Sequence, residues 1–129
     1  MLASPDAVDG RRDLPDCAWP AEQHVVLMSY LLSALGESDL DVVLGRAFDS
    51  LRPGGLLVLH DFMLDDDGSG PVLAALWFLQ YVAHRSDSVS FSAADLRARL
   101  RAHAFVPTTT QVLIPGITTV VLARKETAR

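Results

Sequence analysis

The sequence predicts one α/β domain whose sheet is mostly parallel with an antiparallel terminal strand. Short apolar runs typical of buried strands alternate with helical patterns, and glycine- or proline-rich turns separate them. Two β-branched runs close the chain, which favours a final hairpin. A chain of 129 residues has the usual size of a single domain. We assign this domain to residues 24–126 and an irregular, proline-containing lead-in to residues 1–23.

Composition excludes several classes of protein. Half of the residues are hydrophobic and 21% are charged, which is the opposite of the signature of disorder. A net charge of −5 argues against a protein that binds nucleic acid or anionic membranes through basic patches. One cysteine, Cys17, excludes an internal disulfide framework, and no basic and apolar leader or membrane-length run is present. We therefore expect a cytoplasmic protein with no nucleic-acid and no membrane partner.

The first half of the domain has a strand–helix–strand pattern. The run HVVLMSYLL, from His24 to Leu32, is apolar throughout, as in a parallel strand buried on both faces. Apolar residues at helical spacing then predict an amphipathic helix over about 38–51. The residues Pro53-Gly54-Gly55 end this helix and form a tight link to the strand GLLVLHDF.

The second half predicts two helices and the hairpin. An acidic loop over 65–70 leads into a helix over 71–85 that is apolar nearly all round and is expected to be buried. Ser92 and Asp95 have the spacing of a capping box and start a third helix. The runs TTTQVLI and ITTVVLA then form the hairpin.

Metal ligands are not arranged at recognisable spacings. The run Asp65-Asp66-Asp67 lacks the alternation and the closing glutamate of a calcium loop, and a solvated loop accounts for it. The four histidines are scattered, with no Cys or His pair at zinc spacing. We propose no metal site.

The stretch AFDSLRPGGLLVLHDFMLDDD, preceded by LMSYLLSA and followed by an apolar helix and LRARLRAHAF, resembles a known family. It is similar to the carboxyl-terminal half of S-adenosylmethionine-dependent O-methyltransferases of the plant-type and bacterial natural-product group. The resemblance covers about residues 22–126, and its most specific part is Leu51–Asp61. It implies a partial Rossmann-like methyltransferase sheet with the equivalents of strands four to seven. It also implies transfer of a methyl group from S-adenosylmethionine to a small hydroxylated acceptor.

The resemblance also identifies what this chain does not match. Family members bind the cofactor with a glycine-rich turn after strand one and an acid at the end of strand two, and no segment here fits either motif. We therefore expect the chain alone to bind S-adenosylmethionine weakly or not at all. It is expected to form a homo-oligomer or to pair with a chain that supplies the missing half. The alternatives are a non-catalytic interaction protein derived from a methyltransferase and one half of a split enzyme.

The resemblance assigns two catalytic positions. The family's general-base histidine falls on Ser33, and a serine hydroxyl cannot accept a proton near neutral pH without its own base. The acid that ends the next strand is Asp61, for which capping of the following turn is the alternative. A second family acid falls near Ser90 and is lost. His60 points to the opposite face by strand alternation, where a structural histidine is favoured over a site base.

The remaining site positions are assigned to ligand binding. The resemblance places cofactor contacts at Ser29 and Tyr30, with packing at the strand end as the alternative for Ser29. It places the acceptor pocket along the apolar helix, at Trp77, Phe78 and Tyr81. An aromatic stripe at helical spacing is also typical of a core, so this alternative stays open.

Overall fold

A computed structural model describes residues 18–82 and 89–126. Its elements are β1 (Gln23–Ser29), a 3₁₀ turn (Leu32–Ala34), α1 (Glu37–Ser50), β2 (Leu51–Phe62), α2 (Val72–Val82), α3 (Ala93–Ala102), β3 (Phe105–Ile114) and β4 (Thr118–Lys125). The predicted helices and the hairpin are therefore confirmed. Most of the predicted lead-in lies outside the described residues.

The four described strands form one sheet in the order β1-β2-β4-β3. β1 and β2 pair in parallel, whereas β4 is antiparallel to both of its neighbours. Three strands thus run in one direction and the terminal strand β4 runs in the other, which confirms the predicted α/β sheet. β4 lies between β2 and β3. Since β1 is the first strand in this order, it is an edge strand of the described sheet.

The core lies between one face of this sheet and helices α1 and α3. Strand residues alternate, so that Val26, Leu57 and Leu59 are almost completely buried on this face. The helices contribute the other buried apolar side chains: Leu40, Val43, Leu44 and Ala47 from α1, and Leu96 and Leu100 from α3. On the opposite face of β1, Val25 and Leu27 stay 51% and 45% exposed.

A group of ion pairs joins α3 to α1, and a capping box begins the helix. The Arg99 guanidinium lies 2.9 Å from a Glu37 oxygen and 3.2 Å from an Asp41 oxygen, which joins α3 to α1. At the start of α3, Ser92 and Asp95 form the predicted capping box. The helix therefore begins where the sequence pattern places it.

The end of β1 and the start of β2 differ from the prediction. β1 ends at Ser29 rather than at Leu32, because Tyr30 has a left-handed backbone (φ 56°) and the chain turns there. β2 begins at Leu51 and includes the predicted Pro-Gly-Gly link. The pairing with β1 shifts register there, and a Cβ on Gly55 would lie 2.8 Å from the Arg52 carbonyl oxygen. The glycine is thus required by a close backbone approach.

The prediction that the apolar helix is buried is wrong for the side chains that the structure describes. In α2, Ala74 and Phe78 are buried, but Val72, Leu76 and Leu79 are 73%, 56% and 62% exposed. Among the side chains that the structure describes, those of α2 that are buried form one stripe. Its apolar composition therefore creates an exposed apolar surface rather than a core helix.

Candidate functional site

The predicted catalytic and cofactor positions meet at the carboxyl ends of β1 and β2. These strands are parallel, so their carboxyl ends lie at the same edge of the sheet, where open α/β sheets bind ligands. Ser29 pairs with His60, and the Tyr30 N–H donates to the His60 carbonyl oxygen at 2.9 Å. The 3₁₀ turn that follows brings Ser33 to Asp61. We call this group the edge site.

Asp61 is the centre of the edge site and is completely buried. Its Oδ2 accepts the Ser33 backbone N–H at 3.0 Å, and its Oδ1 accepts the Phe62 N–H at 2.8 Å. Burial raises the pKa of the Asp61 carboxyl above its ordinary value of 3.8, while the hydrogen bonds from Ser33 and Phe62 oppose this rise. The carboxyl group therefore holds the turn onto β2 and can reach a ligand only through its neighbours.

Ser33 connects this carboxyl group to α2. It is 3% exposed, and its hydroxyl accepts the Trp77 Nε1–H at 3.0 Å. The same side chain hydrogen-bonds to Asp61 and lowers the pKa of that carboxyl. Trp77, Ser33 and Asp61 thus form one hydrogen-bonded chain from the helix through the turn to the strand.

His60 lies on the opposite face of the sheet from Asp61, as strand alternation predicts. Its Nδ1 is 2.7 Å from the Ser29 Oγ and its Nε2 is 2.9 Å from the Thr118 Oγ1. These contacts join β1, β2 and β4 at one edge. Both ring nitrogens are engaged by hydroxyl groups, which is the geometry of a structural histidine.

The three predicted aromatic positions have different surroundings. Trp77 stacks on Phe62 with ring centroids 4.6 Å apart, at the edge site. Phe78 is 5% exposed and packs edge-to-face on Phe91 at 5.0 Å, so the core alternative describes its main contact. The side chain of Tyr81 lies outside the described residues.

Sequence reasoning did not single out Phe62. This residue is the last of β2 and lies on the same face as His60, with its ring 5.4 Å from the Tyr30 ring. The alternation of β2 contained the necessary signal, because it places Phe62 two residues beyond His60 on that face.

Two open clefts lie near the edge site. One of about 300 Å³ is lined by the loop after β2, α3 and the hairpin, and Asp66, Arg97 and Thr110 provide polar atoms there. The other, of about 260 Å³, lies between that loop and α2 and includes Phe78 and Leu79. Within residues 18–82 and 89–126, no group of three His, Cys, Asp or Glu side chains is close enough to hold a metal ion. No helix in this part of the chain is long and apolar enough to cross a membrane.

Comparison with known proteins supports the family resemblance. No protein-family profile matches the chain. A segment of 57 residues, 44% of this chain, is 39% identical to a segment of 3-hydroxy-5-methyl-1-naphthoate 3-O-methyltransferase from Streptomyces sahachiroi. That segment is 16% of the enzyme's length.

Solved structures share the fold. Human N-acetylserotonin methyltransferase in complex with SAM matches 89% of this chain with a TM-score of 0.75 and 23% identity. An O-methyltransferase family 2 protein from Planctomyces limnophilus, in complex with apigenin, matches 88% with a TM-score of 0.75 and 20% identity. This chain spans 32% and 34% of the length of these two proteins. It therefore has the fold of part of an S-adenosylmethionine-dependent O-methyltransferase domain, as its sequence implied.

We predict that Ser33→Ala lowers the free energy of unfolding by about 1–3 kcal/mol, because it removes the hydroxyl that links Trp77 to a buried carboxyl group. Denaturant unfolding of Ser33→Ala, Trp77→Phe and the double variant measures this link as a double-mutant cycle. Ser69→Ala, in the exposed loop, is the control and is expected to change stability by less than about 0.5 kcal/mol. Strictly additive effects of the two site substitutions would contradict the hydrogen bond.

The raised pKa of Asp61 predicts a pH-dependent stability difference between the wild type and Asp61→Asn. A carboxyl group with a raised pKa in the folded state contributes fully to stability below the ordinary value of 3.8. This contribution falls as the pH rises through the folded-state pKa. Denaturant unfolding at a series of pH values from acid to neutral is expected to show the wild type losing stability relative to the variant as pH rises. A relative gain would show that ionised Asp61 is favoured by its site.

Proposed function

We propose that this chain is part of a methyltransferase domain that transfers a methyl group from S-adenosylmethionine to a small hydroxylated acceptor. The observation that supports this most directly is the edge site, at the carboxyl ends of two parallel strands in a methyltransferase fold. The sequence match to an O-methyltransferase supports the same reaction. Two relatives carry the names of aromatic molecules, a hydroxynaphthoate and N-acetylserotonin, which favours an aromatic acceptor here.

The residues after β1 fit one side of a cofactor site. The Tyr30 ring is 44% exposed at the edge, and its left-handed backbone turns the chain away from the sheet. The Ser29 hydroxyl is engaged by His60, so this residue offers its backbone and its position rather than a free hydroxyl. S-adenosylmethionine supplies an activated methyl group when bound. In this proposal, the family's glycine-rich turn and ribose-binding acid are supplied by residues other than Ser29 and Tyr30.

In this proposal Asp61 is a positioning residue. It is completely buried, so its carboxyl group acts on an acceptor only through the turn after β1 and the end of β2, whose Ser33 and Phe62 N–H groups it accepts. Ser33 stands where the family has its histidine and cannot serve as a base by itself. Methyl transfer from a sulfonium is an activated displacement, and the contribution of this chain is therefore mainly orientation of the acceptor.

We further propose that the chain assembles with a second copy through the apolar face of β1 that carries Val25 and Leu27. In the described sheet this strand is an edge, and its sequence QHVVLMS contains no Lys, Arg, Asp, Glu or Pro to prevent pairing. Val25 and Leu27 add exposed apolar area beside the edge. A partner chain that supplies the missing half of the enzyme would bind at the same strand.

We also propose a cytoplasmic location, which is consistent with the single cysteine.

Activity is tested on a fusion in which the part of the Streptomyces sahachiroi enzyme that precedes the matched segment is joined to this chain. The fusion is expected to bind S-adenosylmethionine and to methylate a hydroxynaphthoate. Asp61→Asn is expected to lower kcat by up to about 100-fold, because a shift of the turn that Asp61 holds misplaces the acceptor, and a misplacement of about 1 Å costs about that much. Ser33→Ala is expected to have the smaller effect, because the Phe62 and Ser33 backbone bonds to Asp61 remain.

The chain without the donor segment is the control, and calorimetric titration is expected to give a dissociation constant for S-adenosylmethionine well above about 1 μM. Tighter binding would mean that this chain builds its own cofactor site. A folded, cofactor-binding fusion without transfer activity would favour the non-catalytic interaction protein instead. A larger effect of Ser33→Ala than of Asp61→Asn would overturn the assignment of the two positions.

Assembly through this face of β1 predicts a homodimer or larger assembly at tens of micromolar in light scattering. Val25→Lys places a charge on this apolar face and is expected to shift the chain toward monomer. Leu76→Lys, at a similarly exposed position on α2, is the matched control and is expected to leave the assembly unchanged. A monodisperse wild-type monomer, or equal effects of both substitutions, would contradict assembly through this face.

A further inference from the structure

The cleft between α3 and the β3–β4 hairpin has the composition of a small-molecule site. Its volume is about 300 Å³, at the lower end of the range for ligand pockets. The loop after β2 forms one wall, and α3 and the hairpin form the others. We call it the hairpin cleft. Its lining combines a guanidinium group, carboxylate groups, hydroxyl groups and aliphatic side chains, among them those of Arg97, Asp65, Asp66, Thr110, Thr119 and Val112.

The hairpin cleft opens on the face of the sheet that α3 covers. Thr119 pairs with Asp61 on β2 and with Val112 on β3, and side chains of directly paired residues lie on the same face. Thr110 is two residues from Val112 and lies on this face as well. His60 points to the opposite face, where it contacts the rings of the edge site. The cleft is therefore separate from those rings.

Arg97 is the cation of the hairpin cleft. Its Nη1 donates to the Thr110 Oγ1 at 2.6 Å, whereas its Nη2 lies 3.9 Å from the Asp66 Oδ2, which is longer than a hydrogen bond. A guanidinium group binds a carboxylate through parallel N–H donors. The Thr110 hydroxyl accepts from Arg97, so its own hydrogen can be donated to the same carboxylate. Arg97 and Thr110 together therefore form a suitable site for a carboxylate group.

Asp66 supplies the opposite charge beside Arg97. Its Oδ1 accepts the Ala94 N–H at 3.2 Å, which fixes this carboxylate on α3. Its Oδ2 faces Arg97, its side chain is 62% exposed, and Asp65 lies next to it in the lining. An ammonium group from solvent can therefore bind at this carboxylate.

The two charged groups are too close together to suit a ligand of single charge. A simple anion at Arg97 is repelled by Asp65 and Asp66, and a simple cation at Asp66 is repelled by Arg97. An α-amino acid carries its ammonium and carboxylate groups on one carbon atom, so its opposite charges are adjacent, as those of Arg97 and Asp66 are. Charge complementarity therefore favours a zwitterion.

The aliphatic part of the lining determines which side chain fits. Val112 and Ile117 from the hairpin and Ala93 from α3 line the cleft. Val112 is 57% exposed, so a ligand that covers it removes apolar surface from water. None of the described residues that line the cleft is aromatic. An aliphatic side chain is therefore favoured.

We propose that the hairpin cleft binds a free α-amino acid with an aliphatic side chain. Arg97 and Thr110 bind its carboxylate group, Asp66 binds its ammonium group, and Val112 and Ile117 contact its side chain. All of these residues belong to this chain, and none of them is assigned to methyl transfer. The site therefore stands or fails independently of the proposed function.

The test uses the full chain and NMR of its backbone amide signals. The probes are L-leucine, 4-methylpentanoate, which lacks the ammonium group, leucinamide, which lacks the carboxylate group, and L-serine, which has a polar side chain. We expect L-leucine to move the signals of Arg97 and of residues 116–119, and not that of Tyr30, with a dissociation constant on the order of 1 mM.

The other three probes measure what each part of the ligand contributes. 4-Methylpentanoate and leucinamide are each expected to bind about 3- to 10-fold more weakly than L-leucine, because each leaves a charged group of the cleft without its partner. L-serine is expected to bind at least about 4-fold more weakly, the effect of one buried CH₂ group.

Two substitutions in the cleft have matched controls outside its lining. Arg97→Gln removes the cation, and Arg101→Gln, exposed on the same helix, is its control. Asp66→Asn removes the negative charge but keeps an oxygen that can accept the Ala94 N–H, and Asp67→Asn is its control. Both cleft variants are expected to weaken L-leucine binding by about 3- to 10-fold, and both controls by less than about 2-fold. Backbone amide spectra establish that each variant is folded, and Asp66→Asn serves if Arg97→Gln is not.

The proposal is overturned if L-leucine causes no saturable shift of the cleft signals at about ten times a concentration of 1 mM. It is also overturned if 4-methylpentanoate or leucinamide binds as tightly as L-leucine, because recognition then depends on one charge only. Equally tight binding of L-serine would contradict the aliphatic side chain. The control substitutions weakening binding as much as Arg97→Gln and Asp66→Asn would show that the cleft is not the site.

Discussion

The carboxyl group of Asp61 is the contact on which the geometry of the edge site depends. It lies at the end of a central strand and accepts backbone N–H groups from its own strand and from the turn after β1. A buried acceptor of this kind is stable only when it is hydrogen-bonded, so turn and strand are fixed together. The orientation of Ser33, and through it that of Trp77, follows from this arrangement.

The two faces of β2 have different tasks at this edge. Asp61 points toward the turn and helps to close the core, whereas His60 and Phe62 point to the other face and contact Tyr30. The period of two residues in a strand therefore separates a structural carboxyl group from a set of aromatic rings in mutual contact. One short segment of sequence supplies both.

Much of the fold was predictable because its signals are local. The helical spacing of α1, the capping pair of α3 and the β-branched hairpin are encoded within their own segments, and each element formed close to its predicted bounds. The end of β1 was not predictable, since a left-handed tyrosine depends on contacts with His60 and Phe62 from another strand. The exposure of α2 could not be predicted from the sequence either, because its apolar composition does not reveal which faces other elements cover. For the edge site, the resemblance identified Ser33 and Asp61, but their direct hydrogen bond and the ring contacts of Phe62 required the structure.

The antiparallel insertion of β4 has a consequence for how such a site can change. Thr118, the first residue of β4, pairs with Phe62, and it also pairs with Ile114 at the end of β3. The turn over 115–117 consequently lies at the same edge of the sheet as the aromatic rings. Turns accept insertions and substitutions far more readily than paired strands do. Evolution or design can therefore reshape the border of the edge site by lengthening this turn, while the register of β4 on β2 stays the same.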